Sequence, residues 1–187
     1  MRKLFIIITF CLVAIIPSLE NKGSAAVSAF DLGVRWSNLT GTPSIFYSPD
    51  TGWEGRVLIR QGEPANRVFL TLTSSYRPLQ LKNMSNDVHM NILSFLAGIY
   101  TNVEKKFWFF TPALGVQAGP AYGWLAFPAT SNTTLNSKLY FTMQAEPGLE
   151  FPIYGQLSGN ISMPVQIIFS TPALTVWGEL LSLRWNL

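Results

Sequence analysis

The sequence predicts an all-β protein, an eight-stranded antiparallel up-and-down transmembrane β-barrel, and three observations carry that prediction. Apolar and polar side chains alternate with a period of two along most of the chain, which places them on opposite faces of strands. The chain is 48% hydrophobic and only 12% charged, so some apolar surface besides a core has to be covered. Short and long connections alternate between the periodic segments, as they do when hairpins stand side by side.

The N-terminus is set apart from this pattern. Arg2 and Lys3 precede an apolar run over 4–16, followed by Pro17 and two small-residue sites, Ser24-Ala25-Ala26 and Val27-Ser28-Ala29. That order is a secretory signal peptide, and the run is too short for a comfortable membrane span. Residues 1–29 are assigned to the signal, cleaved after Ala29, and 30–187 to the barrel domain. Cys11 leaves with the signal, so the exported chain has no disulfide and no thiolate ligand for a metal. Cleavage lowers the basic residues from 13 to 10 and the acidic ones from 10 to 9, leaving a net charge of about +1. No basic cluster remains, and nucleic acid is not an expected partner.

The strands follow in order. Over 30–41, Phe30, Leu32, Val34 and Trp36 alternate with Asp31, Gly33, Arg35 and Ser37; over 53–61, Trp53, Val57 and Ile59 oppose Glu54, Arg56 and Arg60. Over 67–77, Val68, Leu70, Leu72 and Tyr76 oppose Arg67, Thr71, Thr73 and Ser75. The segment 87–102 is less regular: Val88, Met90, Ile92 and Leu96 share a face opposite His89 and Asn91, while Phe95 and Ile99 fall on the polar parity. A bulge near Leu93 or Ser94 is expected there.

The stretch over 107–127 has the length and apolarity of a membrane helix, with glycines at 115, 119 and 123. Its bulky Trp108, Phe110, Leu114, Val116, Tyr122 and Trp124 nevertheless alternate with Ala113, Gly115, Gln117, Gly119 and Gly123, and Pro112 and Pro120 disfavour a helix interior. A strand over 106–125 results, its glycines leaving room for inward arginines and glutamates. Strands over 137–151, 155–169 and 174–187 complete the set. Pro112, Pro120, Pro147 and Pro164 each forfeit a ladder hydrogen bond and are expected at bulges or rims.

An eight-stranded barrel has only enough interior for side chains to fill, yet one parity carries Trp, Phe, Tyr, Leu and Ile at nearly every position. The bulky face therefore points outward to hydrocarbon and the small, polar face inward; the alternative, with the faces exchanged, is a soluble lipocalin-like carrier. Aromatics near the strand ends suit interfacial girdles.

With its signal peptide, its eight alternating strands and its C-terminal Leu181-Ser182-Leu183-Arg184-Trp185-Asn186-Leu187, the chain resembles the small outer-membrane β-barrel proteins of Gram-negative bacteria, the OmpA/OmpX type. The resemblance implies residence in the outer membrane and contact with its lipid and lipopolysaccharide. It also implies that barrel-assembly machinery reads the last strand, here through Leu183, Trp185 and Leu187, although the family usually ends in Phe. The long loops would face an extracellular ligand.

The inward parity assigns a polar lumen network of Asp31, Arg35, Glu54, Arg56, Arg60, Arg67, His89, Gln117, Gln144, Glu146, Glu150, Asn160 and Arg184. Buried charges have to pair, and arginine forks suit carboxylates, so a lumen plugged by salt bridges is expected. The expected role is non-enzymatic, structural or interactive through the extracellular loops, with a narrow ion path as one alternative. Another alternative is a lipid A-modifying enzyme: the deacylases among such barrels place a histidine two positions before a serine. The only histidine, His89, is followed at that position by Asn91. Neither a phosphate loop, a dinucleotide motif nor metal-ligand spacing occurs, so no catalytic residue, metal or cofactor is assigned.

Overall fold

The computed structural model of the protein describes residues 25–40, 47–48, 50–61, 67–82, 89–103, 107–126, 137–171 and 173–187. The signal segment up to residue 24, and Val88 with it, lie outside the described residues. The described segments form β1 (Ala25–Thr40), β2 (Tyr47–Ser48), β3 (Asp50–Gln61), β4 (Val68–Leu81), β5 (His89–Asn102), β6 (Thr111–Ala126), β7 (Ser137–Tyr154), β8 (Leu157–Ser162), β9 (Val165–Phe169) and β10 (Leu174–Asn186). All pairings are antiparallel, and β3 to β7 pair in chain order. The segments β8 and β9 keep one register against β7 and β10, so they are one barrel strand interrupted at Met163-Pro164. With β2 continuing the line of β3 along β4, the ring has eight strands. It closes where β1 pairs with β10 from Ala29↔Asn186 to Thr40↔Thr175, which leaves no open sheet edge at that seam. Among the described residues no helix is long and apolar enough to cross a membrane, and 111–126 is strand.

The structure corrects several expectations. The register of β5 against both β4 and β6 is unbroken, so the bulge near Leu93 or Ser94 is absent. The face is inverted instead: Ile92, Leu96 and Tyr100 point inward and are buried, whereas Phe95 and Ile99 are 39% and 50% exposed on the outside. Strand β6 begins at Thr111 rather than 106, because Phe107 and Phe110 bond to each other in a tight turn with Trp108 at positive φ. Strand β4 runs through Pro78 to Leu81. Of the four prolines, Pro164 sits at a strand interruption, but Pro120 and Pro147 lie in register inside their strands, opposite Phe141 and Leu114. A proline forfeits only the one bond its missing N–H would have made, and a long ladder tolerates that loss.

Outside, Leu32, Val34, Leu70, Leu72, Val116, Met143, Ile161, Leu181 and Leu183 form an exposed apolar band. Aromatic rings gather at both ends of it. Trp53, Tyr76 and Trp124 follow one another at 6.0 and 6.2 Å near the end carrying the long connections, the loop end. Phe107, Trp108, Phe109 and Tyr154 are exposed at the opposite, turn end.

Inside, the barrel is layered. An apolar collar of Ala29, Leu58, Phe69, Tyr100 and Ala113 lies toward the turn end. A second collar of Leu79, Ile92, Ala121, Ile168 and Val176 lies toward the loop end. Between them every strand contributes a small or polar inward residue, and the buried charges collect there.

Candidate functional site

The site is this charged middle layer. Alternation along β1 brings Asp31 and Arg35 inward, β3 brings Glu54 and Arg56, β7 brings Gln144, Glu146 and Glu150, and β10 brings Arg184. Arg184 forms a two-point pair across the seam, Nε donating to Asp31 Oδ1 at 2.6 Å and Nη2 to Oδ2 at 2.8 Å, and it also bonds Glu150. Arg56 Nη2 donates to Glu54 Oε1 at 2.7 Å and to Glu146, with Asp31 3.9 Å from Nη1. Arg35 Nη1 donates to Glu54 Oε2 at 3.2 Å and to Gln144 Oε1 at 2.9 Å, while its Nη2 reaches the Pro164 carbonyl where the wall strand is interrupted.

Neutral donors complete the acids. Ser162 Oγ and Gln144 Nε2 donate to Glu146 at 2.9 and 3.2 Å; Asn102 and Ser158 donate to Glu150. Tyr100 fills the space beneath, with the guanidinium carbons of Arg184 and Arg56 4.7 and 5.3 Å from its ring centre. Four carboxylates thus face three arginines that bind them, all but Glu150 buried from water, where forked charge-assisted bonds are at their strongest.

The remaining sequence candidates fall as follows. Asn160 is buried and donates to Ser182 Oγ at 3.5 Å. Gln117 is buried with neither amide atom bonded to protein. Arg60 lies at the turn end with its guanidinium 5.2 Å over the Phe69 ring, and takes no part in the ion pairs. Arg67 is not in the lumen: it is exposed just before β4 and donates to the Val103 carbonyl. His89 is not in the network either. It stands at the loop end, 31% exposed, with Nδ1 3.9 Å from Asp50 Oδ2. Asn91, where a deacylase would carry its serine, accepts a hydrogen bond from the Tyr76 hydroxyl at 2.6 Å. Among the described residues no three metal-ligating side chains converge.

Sequence reasoning missed Arg77. It is 1% exposed, donates from Nη2 to Gln144 Oε1 at 3.2 Å and to Ser75 Oγ at 3.4 Å, and pairs with none of the four acids. The signal was present, since it continues the inward series Thr71, Thr73, Ser75 to the last residue of the segment 67–77. Of the β6 glycines, Gly115 leaves room beside a glutamate as expected, the Glu146 Cβ lying 3.6 Å from where its own Cβ would stand. Gly115 and Gly123 face the rings of Tyr100 and Tyr140, and Gly119 lets the Phe95 backbone approach, because a Cβ there would come 2.1 Å from its carbonyl oxygen.

No protein-family model and no curated protein matches the chain. Solved structures do. Neisserial surface protein A superposes with a TM-score of 0.65 at 7% identity, over 87% of this chain and 99% of that one. The attachment invasion locus protein Ail of Yersinia pestis gives 0.56 at 13%, over 89% and 100%. A major outer membrane protein from Thermus thermophilus gives 0.59 at 10%, over 86% and 99%. At such identities the likeness is one of fold: this chain has the architecture of small eight-stranded outer-membrane barrels.

Proposed function

We propose that the protein is an exported outer-membrane β-barrel of a Gram-negative bacterium whose lumen is closed, and which acts structurally or as an interaction surface through its loop end rather than as an enzyme. Its membrane residence is supported by the exposed apolar band between aromatic girdles, facing the lipid and lipopolysaccharide of that membrane. Delivery there calls for the signal peptide and for barrel-assembly machinery acting on the C-terminal strand with Leu183, Trp185 and Leu187.

The single observation that carries the closed-lumen reading is the ion-paired layer of Arg35, Arg56 and Arg184 with Asp31, Glu54, Glu146 and Glu150, set between two apolar collars. An ion crossing it would have to displace several charge-assisted bonds at once, each worth about 1.5–3 kcal/mol. In planar bilayers the purified barrel is expected to be electrically silent under moderate voltage. Stable, reproducible conductance steps would overturn the reading and point to an ion path set by the same charges.

A further inference from the structure

The interior at the loop end contains a feature that a plug does not require. On the apolar collar of the loop end rests a cavity of about 300 Å³, lined by Tyr47, Met90, Gly123, Leu125, Lys138 and Tyr140. Gly123 makes this room: a Cβ there would lie 3.1 Å from the Tyr140 ring and 3.6 Å from the Met90 methyl. Among the described residues that line the cavity, Lys138 carries the one charge. Lys138 meets no carboxylate among the described residues. Across the sheet, register places Arg77, Ile92, Gly123 and Lys138 on one line through β4, β5, β6 and β7. Arg77 is itself buried, with Nε and Nη1 bonded to no protein atom.

An apolar floor in a cavity lined by one lysine and two tyrosines has a definite complement. Lysine donates and cannot accept, phenols can donate, and a carboxylate only accepts. The volume is at the small end of ligand cavities. We propose that this cup binds a small amphiphilic carboxylate, with its alkyl or aryl part on the collar and its carboxylate on Lys138, Tyr47 and Tyr140. The charge is what selects the carboxylate over an alcohol or an amine of equal chain length: the amine would put a second cation beside Lys138, and the alcohol would forgo the ion pair. This ligand site is independent of whether the lumen conducts.

The test uses the whole processed protein in phospholipid nanodiscs, titrated calorimetrically with octanoate, octanol and octylamine below their aggregation concentrations, with empty nanodiscs subtracted. Octanoate is expected to bind saturably, octylamine to show no binding, and octanol to bind at least about tenfold more weakly than octanoate. Lys138→Gln, at an exposed position, is expected to weaken octanoate binding by about tenfold or more while leaving octanol unchanged. Gly123→Leu is expected to abolish binding of both. Each variant is first checked for heat-modifiable migration on an unboiled gel. Octanoate binding no better than octylamine, or a Lys138→Gln variant within about threefold of the parent, would overturn the proposal.

Discussion

Arg56 is the hub of the charged layer, and its removal offers a quantitative test. The side chain is 1% exposed and touches three carboxylates: Glu54, Glu146 and Asp31. Breaking a buried ion pair by removing one partner typically costs about 3–5 kcal/mol, because the surviving charge is left in a poor solvent. Here each acid keeps another donor: Glu54 keeps Arg35, Asp31 keeps Arg184, and Glu146 keeps Gln144 and Ser162. Arg56→Met should therefore fall at the low end, about 3 kcal/mol. Adding Glu146→Gln removes the surplus negative charge that the first change creates. The double variant should then be more stable than Arg56→Met alone, by about 1–2 kcal/mol. The measurement is reversible urea unfolding of the barrel in lipid vesicles, followed by tryptophan fluorescence and by the gel shift of unboiled samples. A cost for Arg56→Met below about 1 kcal/mol, or strict additivity of the two changes, would show that water rather than the network solvates these charges.

Other outcomes follow from single sites. At Gly178 a Cβ would lie 1.9 Å from the Trp36 carbonyl oxygen, at the closing seam, so Gly178→Ala should cost about 3 kcal/mol or prevent closure; an undiminished folded band on an unboiled gel would contradict this. Tyr100→Leu should lose about 1–2 kcal/mol through the two guanidinium contacts, while Tyr100→Phe, which keeps the ring, should lose less than about half as much in the same urea assay. Processing after Ala29 would cut inside β1, removing Ser28, whose Oγ donates to the Leu58 carbonyl at 3.1 Å and whose carbonyl accepts from Leu187 N at 2.9 Å. Cleavage after Ala26 preserves both bonds, and intact-mass spectrometry is expected to give Val27 as the first residue of the exported chain; a start at Phe30 would refute it.

Where one face of a strand is bulky and the other small or charged, the inward set could be read directly, as along β1, β7 and β10. Strand β5 misled because both its faces are apolar: Leu93, Phe95 and Ile99 outside, Ile92, Leu96 and Tyr100 inside. The stronger cue was the series of small and polar residues at Ser94, Gly98 and Asn102, which shares the parity of Tyr100. What no local pattern contains is that Arg56, two strands away, and Arg184, from the opposite side of the ring, lie against Tyr100 and make an inward ring favourable there. His89 was misplaced by the same inversion. Arg77 is the last residue of the segment 67–77 and keeps its inward parity, because the proline that follows leaves its neighbours' faces unchanged.

The two-point pair between Asp31 and Arg184 spans 153 positions of sequence and crosses the seam between the first barrel strand and the last. It therefore sets an order of events. Until the final hairpin arrives, both sheet edges present unpaired backbone, and Asp31 keeps only Arg56, 3.9 Å away, in place of its two-point pair with Arg184. A sheet that enters the bilayer early carries Asp31 without its two-point partner and two open edges, whereas the closed ring carries neither. Closure thereby becomes the step that licenses insertion. A chain stopped short of β10 should then remain a soluble or chaperone-held intermediate rather than a smaller barrel.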